Sequence, residues 1–139
     1  MIVADPPGYS HLYNMNGKCL ASPQSRSDRG TYLIQWDCLQ ETGQQWKYDN
    51  QHICNGYNQC VAAPQNSAGN VDVLQWDPLD ENGQRYTITQ FMQSGFNNVQ
   101  NKWGKCLSVA ENSGSNGARI VLWDCNQDEG GQRWRWLKM

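Results

Sequence analysis

Apolar and polar residues alternate with a period of two in short runs along the chain, most clearly over residues 33–36 and 71–76. This alternation is typical of β-strands that bury one face. Stretches rich in Pro, Ser, Asn and Gly separate the runs, as at residues 22–25, 63–66 and 112–117, and they predict turns. No segment of the sequence keeps a helical period of 3.6 residues. The pattern therefore predicts an all-β protein.

Four short signals recur three times in the same order. In every repeat an Asn precedes a Cys by five residues, a Trp-Asp pair begins 16 or 17 residues after that Cys, and a Gly-Gln-x-aromatic motif follows. Such a period indicates a repeat architecture, here over about residues 11–50, 51–96 and 97–139. The anchor residues are Cys19, Cys60 and Cys106, then Trp36, Trp76 and Trp123, then Trp46, Tyr86 and Trp134.

Each repeat has room for about four short strands, which gives about twelve in all. A unit of roughly 40 residues does not bury its own apolar face, so the three units must share one core. The length of 139 residues is that of one domain. We therefore expect one all-β domain with pseudo-threefold symmetry.

Composition and charge narrow the possible functions. Only 17% of the residues are charged and the net charge is −2, which gives no electrostatic case for binding nucleic acid or an anionic membrane. No run approaches the roughly 18 apolar residues of a membrane-spanning helix, so membrane insertion is not expected. The six cysteines predict disulfides and hence a secreted protein. Residues 1–7 lack the apolar core of a leader, so secretion implies a leader removed earlier or another export route.

The three Gln-x-Trp or Gln-x-Tyr motifs, each preceded by a Cys and a Trp-Asp pair, resemble those of the ricin-type β-trefoil family. The stretch from Gly17 to Cys38 is most similar to the carbohydrate-binding modules of secreted bacterial hydrolases. The resemblance runs from about Leu12 to Trp134, and Tyr86 replaces the Trp of the second motif. It implies a single β-trefoil domain over residues 1–139. It also implies a lectin or binding module with up to three sugar sites, whose partners are glycans or glycosylated proteins.

Trp36, Trp76 and Trp123 stand where members of the family stack an aromatic ring on a sugar. A pyranose has an apolar face of C–H groups, and an exposed indole offers it a flat apolar platform. The alternative is that these three rings are packing residues. Trp46, Tyr86 and Trp134 are expected to fill the shared core, and the Gln two residues before each of them is expected to satisfy backbone groups. These residues are Gln44, Gln84 and Gln132.

The sequence departs from the family where the sugar hydroxyls would be bound. Galactose-binding members carry an Asp two residues after the Cys and an Asn just before the Gln of the Gln-x-Trp motif. The first position is occupied by Ala21, Ala62 and Ser108, and the second by Gly43, Gly83 and Gly131. Ala and Gly side chains accept no hydrogen bond, so the usual galactose recognition does not carry over. Ser108 leaves the third repeat the least altered.

A different carboxylate is expected in the pockets. A Glu lies two residues before each of those glycines, and charged acceptors make strong hydrogen bonds to hydroxyls. The alternative is that these Glu residues lie in solvated turns, which is the role favoured for the Asp residues after each platform Trp. The predicted sugar-binding set is Trp36, Trp76, Trp123, Glu41, Glu81, Glu129, Ser108 and Asn126.

The resemblance implies one disulfide in the first repeat, Cys19–Cys38, and one in the third, Cys106–Cys125. In the second repeat Pro78 occupies the partner position, which leaves Cys60 to pair with Cys54 across a short turn. A rival metal site at His52, Cys54 and Cys60 lacks a fourth ligand. No metal or cofactor is therefore expected.

Two other functions compete with sugar binding. One is a β-trefoil that has lost its sugar sites and acts through protein contacts, as an inhibitor or toxin-associated module would. The missing Asp and Asn favour it, and the retained Trp triplet disfavours it. The other is an enzyme, but the two histidines form no recognised catalytic motif and enzymatic activity is not expected. The sequence leaves open the sugar, the number of working sites, the oligomeric state, and whether the chain is a free lectin or a module.

Overall fold

A computed structural model describes residues 4–90, 95–126 and 128–139. Within these residues the regular structure consists of β-strands and single 3-10 turns, with no α-helix. The strands are β1 (His11–Asn14), β2 (Cys19–Ala21), β3 (Ile34–Trp36), β4 (Trp46–Asp49), β5 (His52–Asn55), β6 (Cys60–Ala62), β7 (Val71–Asp72), β8 (Leu74–Trp76), β9 (Tyr86–Gln90), β10 (Asn97–Asn101), β11 (Cys106–Val109), β12 (Ile120–Trp123) and β13 (Trp134–Leu137). The all-β prediction and the β-trefoil prediction are confirmed.

The strand pairing closes the molecule on itself. Strand β1 pairs antiparallel with β13, so that Asn14 lies opposite Trp134. One sheet runs β3-β2-β1-β13-β10-β11-β12-β7, with β9 paired to β10, and a second runs β4-β5-β6-β8. Pairing of the first and last strands satisfies backbone groups that an open sheet would leave exposed at its edges.

Three aromatic rings, one from each repeat, lie fully buried in the core: Trp46, Tyr86 and Trp134. A buried indole needs a partner for its N–H group. The Nε1 of Trp46 donates to the carbonyl of Leu20 at 3.0 Å, and that of Trp134 donates to the carbonyl of Leu107 at 2.9 Å. The two indoles are thus each hydrogen-bonded to the second strand of their own repeat, and the hydroxyl of Tyr86 donates to the carbonyl of Gly83 at 3.4 Å.

Hydrogen bonds also join each of the first two repeats to the repeat that neighbours it in space. Gln35 of β3 is fully buried, and its Nε2 donates to the carbonyls of Ser113 and Ser115 in the third repeat. Gln75 of β8 is placed in the same way, and its Nε2 donates to the carbonyls of Arg26 and Asp28 in the first repeat. A buried amide needs such partners, so each of these loops is held over a strand of the next repeat.

All three predicted disulfides are present, and none of the six cysteines is free. Cys19–Cys38 and Cys106–Cys125 each span 19 residues, and Cys54–Cys60 spans 6. On the chain-entropy view each of the longer loops stabilises the fold by about 3 kcal/mol. The rival metal site at His52 does not form, because both sulfurs are in a disulfide and the imidazole faces the backbone carbonyls of Asn50 and Leu79.

In the described part of the chain, no helix has the length and apolar character needed to cross a membrane.

Candidate functional site

Three of the open surface cavities formed by the described residues lie beside strand ends, one beside the outward face of β3, one beside β8 and one beside β12. We call them the first, second and third pockets. Their volumes are about 400, 570 and 440 Å³. Each contains one platform Trp and one Glu of the predicted set, so residues five or six positions apart in sequence converge on one cavity. The pairs are Trp36 with Glu41, Trp76 with Glu81, and Trp123 with Glu129.

The strand geometry turns each platform Trp outward. Alternate side chains of a strand point to opposite faces, so burial of Leu33 and Gln35 sends Trp36 to the surface. Trp36 is 39% exposed and Trp123 is 50% exposed. Trp76 is less exposed, and the guanidinium of Arg29 lies 5.6 Å from its ring centroid. A cation over a ring face in this range is attracted by the ring quadrupole.

A buried Gln fixes the loop between each platform Trp and its Glu. In the first repeat Gln44 accepts a hydrogen bond from the N–H of Leu39 and donates to the carbonyl of Asp37, both at 2.9 Å. The expected role of this Gln is therefore seen, and it sets the position of the pocket loop rather than of the ring. The same two bonds recur in the other repeats. Gln84 accepts from the N–H of Leu79 and donates to the carbonyl of Asp77. Gln132 accepts from the N–H of Asn126 and donates to the carbonyl of Asp124.

Two histidines support the same loops from the other side. The Nε2 of His11 lies 2.7 Å from the carbonyl of Leu39, and the Nε2 of His52 lies 2.7 Å from the carbonyl of Leu79. His11 is fully buried and its Nδ1 pairs with Asp5 at 2.9 Å. Leu39 and Leu79 line the first and second pockets. The two imidazoles therefore fix one wall of each of these pockets.

The glycines that replace the expected Asn residues have a packing reason. Opposite each one is a 3-10 turn that forms a pocket wall, and we call these the wall turns: Pro23–Ser25, Pro64–Asn66 and Ala110–Asn112. A Cβ on Gly83 would lie 2.9 Å from the Cβ of Ala63, closer than such atoms approach. The N–H of Gly83 instead donates to Oδ1 of Asn66 at 2.8 Å. Equivalent bonds join Gly43 to Ser25 and Gly131 to Asn112.

The wall turns contain non-glycine residues in the left-handed region. Gln24 has φ 54°, Gln65 has φ 54° and Glu111 has φ 57°, and each of these residues lines a pocket. Such a conformation costs an ordinary residue free energy and persists only where the surroundings enforce it. The bond from the facing glycine supplies part of that enforcement.

The Asp residue after each platform Trp accepts a hydrogen bond from the residue just before Cys19, Cys60 or Cys106, and in the second repeat Gln59 donates to Asp77 at 2.7 Å. Lys18 donates to Asp37 at 2.6 Å and Lys105 donates to Asp124 at 2.6 Å. The hydrogen bond from Lys18, and a second from Asn116, hold the pKa of Asp37 below its usual value. These carboxylates are occupied at the strand ends, which agrees with the turn role expected of them.

Two further residues of the predicted set lie in the third repeat. Ser108 lines the third pocket, but it is buried and its Oγ donates to the carbonyl of Cys106 at 2.9 Å. Asn126 stands at the position of Leu39 and Leu79, and its Oδ1 accepts from the N–H of Asp128 at 3.0 Å. Asn126 is not one of the described residues that line the third pocket. The structure thus brings Ser108 to the pocket and leaves Asn126 outside it.

Sequence reasoning missed the residues that make the pockets different. Tyr32, Asp72 and Arg119 each lie four residues before a platform Trp. Tyr32 lines the second pocket, whereas Asp72 and Arg119 form an ion pair that lines the third. One sequence signal could have found these residues. The position four residues before each platform Trp differs in chemical character among the three repeats, being aromatic, anionic and cationic in turn. In the described chain no group of three potential metal ligands comes together.

Comparisons with known proteins agree with the fold. The ricin-type beta-trefoil lectin domain family matches residues 8–136. No curated protein matches the chain. Among solved structures, the designed threefold-symmetric protein ThreeFoil is 19% identical with a TM-score of 0.87, covering 95% of this chain and 99% of that one.

Two natural proteins are similarly related in structure. An exo-beta-1,3-galactanase from Clostridium thermocellum is 20% identical with a TM-score of 0.87, and the match covers 96% of this chain and 31% of the galactanase. The C-half of an earthworm R-type lectin, solved in complex with GalNAc, is 17% identical with a TM-score of 0.76 and is matched over 96% of this chain and 100% of its own. At these identities the likeness shows the fold.

Proposed function

The chain belongs to the ricin-type β-trefoil lectin family, and from that membership we propose that it binds carbohydrate through the first, second and third pockets. The observation that carries the proposal is the convergence of an outward Trp and a Glu in every pocket. An indole receives the apolar face of a sugar, and a carboxylate accepts hydrogen bonds from its hydroxyls. A sugar site needs both kinds of contact, because stacking alone does not orient the hydroxyl groups.

The hydroxyl contacts proposed here differ from those that the family resemblance implies. Gly43, Gly83 and Gly131 meet the wall turns and offer no side chain. We propose that Glu41, Glu81 and Glu129 take over as acceptors, with Ser108 contributing in the third pocket. The proposed sugar contacts of Asn126 have no support from the pocket geometry.

Binding rather than hydrolysis is the proposed outcome. Glycoside hydrolysis uses two carboxyl groups set about 5–9.5 Å apart across one bond. Glu41, Glu81 and Glu129 lie in three different pockets. The galactanase is a hydrolase of which a chain like this one spans about a third, so a role as the binding module of a larger secreted protein is one form of the proposal. A free lectin is the other, and the three disulfides suit an extracellular location for both.

A glycan array probed with the disulfide-intact protein tests the proposal, followed by titration of Trp fluorescence with each hit. We expect a hit that shifts the emission and is lost in the triple variant Trp36→Ala, Trp76→Ala, Trp123→Ala. The matched control is Trp103→Ala, which removes an exposed Trp outside the three pockets. No hit from folded, multivalently displayed protein would contradict the proposal and favour action through protein contacts.

A further inference from the structure

We propose that one extended, neutral saccharide chain occupies the first and second pockets together, lying along a groove that joins them. This inference rests on the proposed function and names the kind of ligand: an internal stretch of a polysaccharide rather than a single terminal sugar. The groove, which we call the linking groove, has a volume of about 460 Å³. It is lined by Pro23, Arg26, Asp28, Arg29, Thr31 and Tyr32.

The linking groove shares a wall residue with a pocket at each end. Pro23 lines both the groove and the first pocket, where Trp36 is the platform. Tyr32 lines both the groove and the second pocket, where Trp76 is the platform. Three cavities of about 400, 460 and 570 Å³ are therefore neighbours on the surface, in the order first pocket, linking groove, second pocket.

Aromatic rings are spaced along this path. Tyr32 is 53% exposed, and its backbone bridges to Leu74 of β8, which itself lines the second pocket. The second pocket therefore has two rings, Trp76 from its own repeat and Tyr32 from the preceding one. A chain of pyranoses presents apolar faces at intervals, and a second ring gives a second unit a surface on which to stack.

The middle of the linking groove has charged side chains of both signs, which provide both hydrogen-bond donors and acceptors. Arg26 pairs with Asp28 at 3.1 Å, and Arg29 pairs with Asp77 at 2.9 Å. Within each exposed ion pair the two opposite charges largely cancel, so the linking groove favours neither a polyanion nor a polycation. Hydroxyl groups can both donate to the carboxylates and accept from the guanidinium groups, which fits a neutral glycan.

The groove is also held in place before any ligand arrives. Gln75 donates to the carbonyls of Arg26 and Asp28 at 3.1 and 2.8 Å, and the N–H of Gly30 donates to the carbonyl of Gln75 at 2.7 Å. Gln75 is the residue next to Trp76 on β8. The groove and the second platform therefore belong to one fixed unit, and a preformed surface loses little entropy when a chain binds.

The third pocket provides an internal control. At the position of Tyr32 the other repeats carry Asp72 and Arg119, whose ion pair lines the third pocket. Removal of Arg119 changes an exposed side chain at the equivalent position without touching the linking groove.

The test is isothermal titration of the disulfide-intact protein with neutral β-1,4-linked oligosaccharides of glucose, xylose, galactose and mannose, from one unit to six. In at least one series we expect the dissociation constant to fall by about tenfold or more with length, because the second pocket is filled at high effective concentration. Tyr32→Ala and Trp76→Ala should each abolish that gain, Tyr32→Phe should keep it, and Arg119→Ala and Trp103→Ala, which change residues outside the linking groove and its two pockets, should leave it unchanged. Unchanged thermal unfolding of Tyr32→Ala shows that the loss is not one of folding.

The outcomes separate the two proposals. Binding whose affinity per chain is the same at every length, or a length gain that survives Tyr32→Ala, overturns the linking groove and leaves sugar binding intact. An absence of binding in all four series overturns the linking groove, and a negative glycan array beside it overturns the proposed function as well. A gain that disappears equally in Tyr32→Ala and Arg119→Ala also overturns the assignment of the groove.

Discussion

The carboxamide of Asn14 donates a hydrogen bond of 2.9 Å to Oε1 of buried Gln35. The same pair recurs as Asn55 and Gln75 at 3.0 Å. In the third repeat Leu122 replaces the Gln, and Nδ2 of Asn101 is buried with no hydrogen-bond partner among the residues that the structure describes. The Gln thus ties the turn of its own repeat to the loop of the preceding one.

We expect Gln75→Leu, which copies the third repeat, to destabilise the fold. The substitution leaves Nδ2 of Asn55 and two loop carbonyls without their partner, at a cost of about 2 kcal/mol. The free energy of unfolding in urea measures it. The reverse change, Leu122→Gln, should stay within about 1 kcal/mol of the native protein, because it gives Asn101 an acceptor. A larger loss from Leu122→Gln than from Gln75→Leu would contradict the account.

The two classes of Trp should separate stability from binding. Trp134→Ala removes a fully buried ring and should cost about 3–5 kcal/mol of unfolding free energy. Trp123→Ala removes a half-exposed ring and should change that free energy by less than about 0.5 kcal/mol. Chemical denaturation of both variants checks the contrast. If Trp123→Ala destabilised the fold as much as Trp134→Ala, the ring would be a packing residue rather than a platform.

Gly83→Ala should disturb the wall of the second pocket. The new Cβ would meet the Cβ of Ala63 at 2.9 Å, and overpacking of this kind costs about 1–3 kcal/mol. Thermal unfolding measures the loss. Gly114→Ala is the matched control, because its Cβ would enter open space, and it should leave the melting temperature nearly unchanged. Equal effects of the two substitutions would show that close packing is not what requires Gly83.

The stability of the fold should depend on Asp37 in acid. The hydrogen bond from Lys18 lowers the pKa of Asp37, so its stabilising contribution is present above the ordinary carboxyl pKa and is lost as the pH falls through the lowered value. Lys18→Gln, which copies Gln59 of the second repeat, should raise the pKa of Asp37 in an NMR titration. Lys102→Gln removes the same charge from an exposed turn and should leave that pKa in place. A pKa that does not respond to Lys18→Gln would rule out the ion pair as its main cause.

Local sequence patterns predict the strands, and the family resemblance adds the fold. The alternation around Leu33 to Trp36 predicts β-strands, and the three Gln-x-aromatic motifs imply the β-trefoil through their resemblance to the ricin-type family. The partner of Cys60 followed from Pro78, because a proline at the usual position leaves Cys54 as the remaining mate. Each of these inferences depends on residues close in sequence or on the repeat itself.

The pocket walls could not be predicted in the same way. Tyr32 reaches the pocket of Trp76 from another repeat, and neither the period nor the composition reveals that meeting. Gln35 sits in a strand as a polar residue, yet it is fully buried because Asn14 and the loop of the third repeat satisfy its amide. The glycines before each Gln looked like lost sugar contacts, and only the wall turns explain them.

The placement of Tyr32 has a consequence for how such a protein can diverge. The second pocket lies at a junction between repeats, so a substitution in the first repeat can alter the wall of the second pocket while the platform of the first repeat, Trp36, is untouched. The three repeats are therefore not equivalent, because a pocket can depend on the neighbouring repeat for part of its wall. A repeat transplanted into the second or third place would carry its Trp and Glu with it but acquire part of its pocket wall from the repeat before it, whereas the first pocket is lined by the first repeat alone. The wall of the second or third pocket can therefore change through a substitution in either of two repeats.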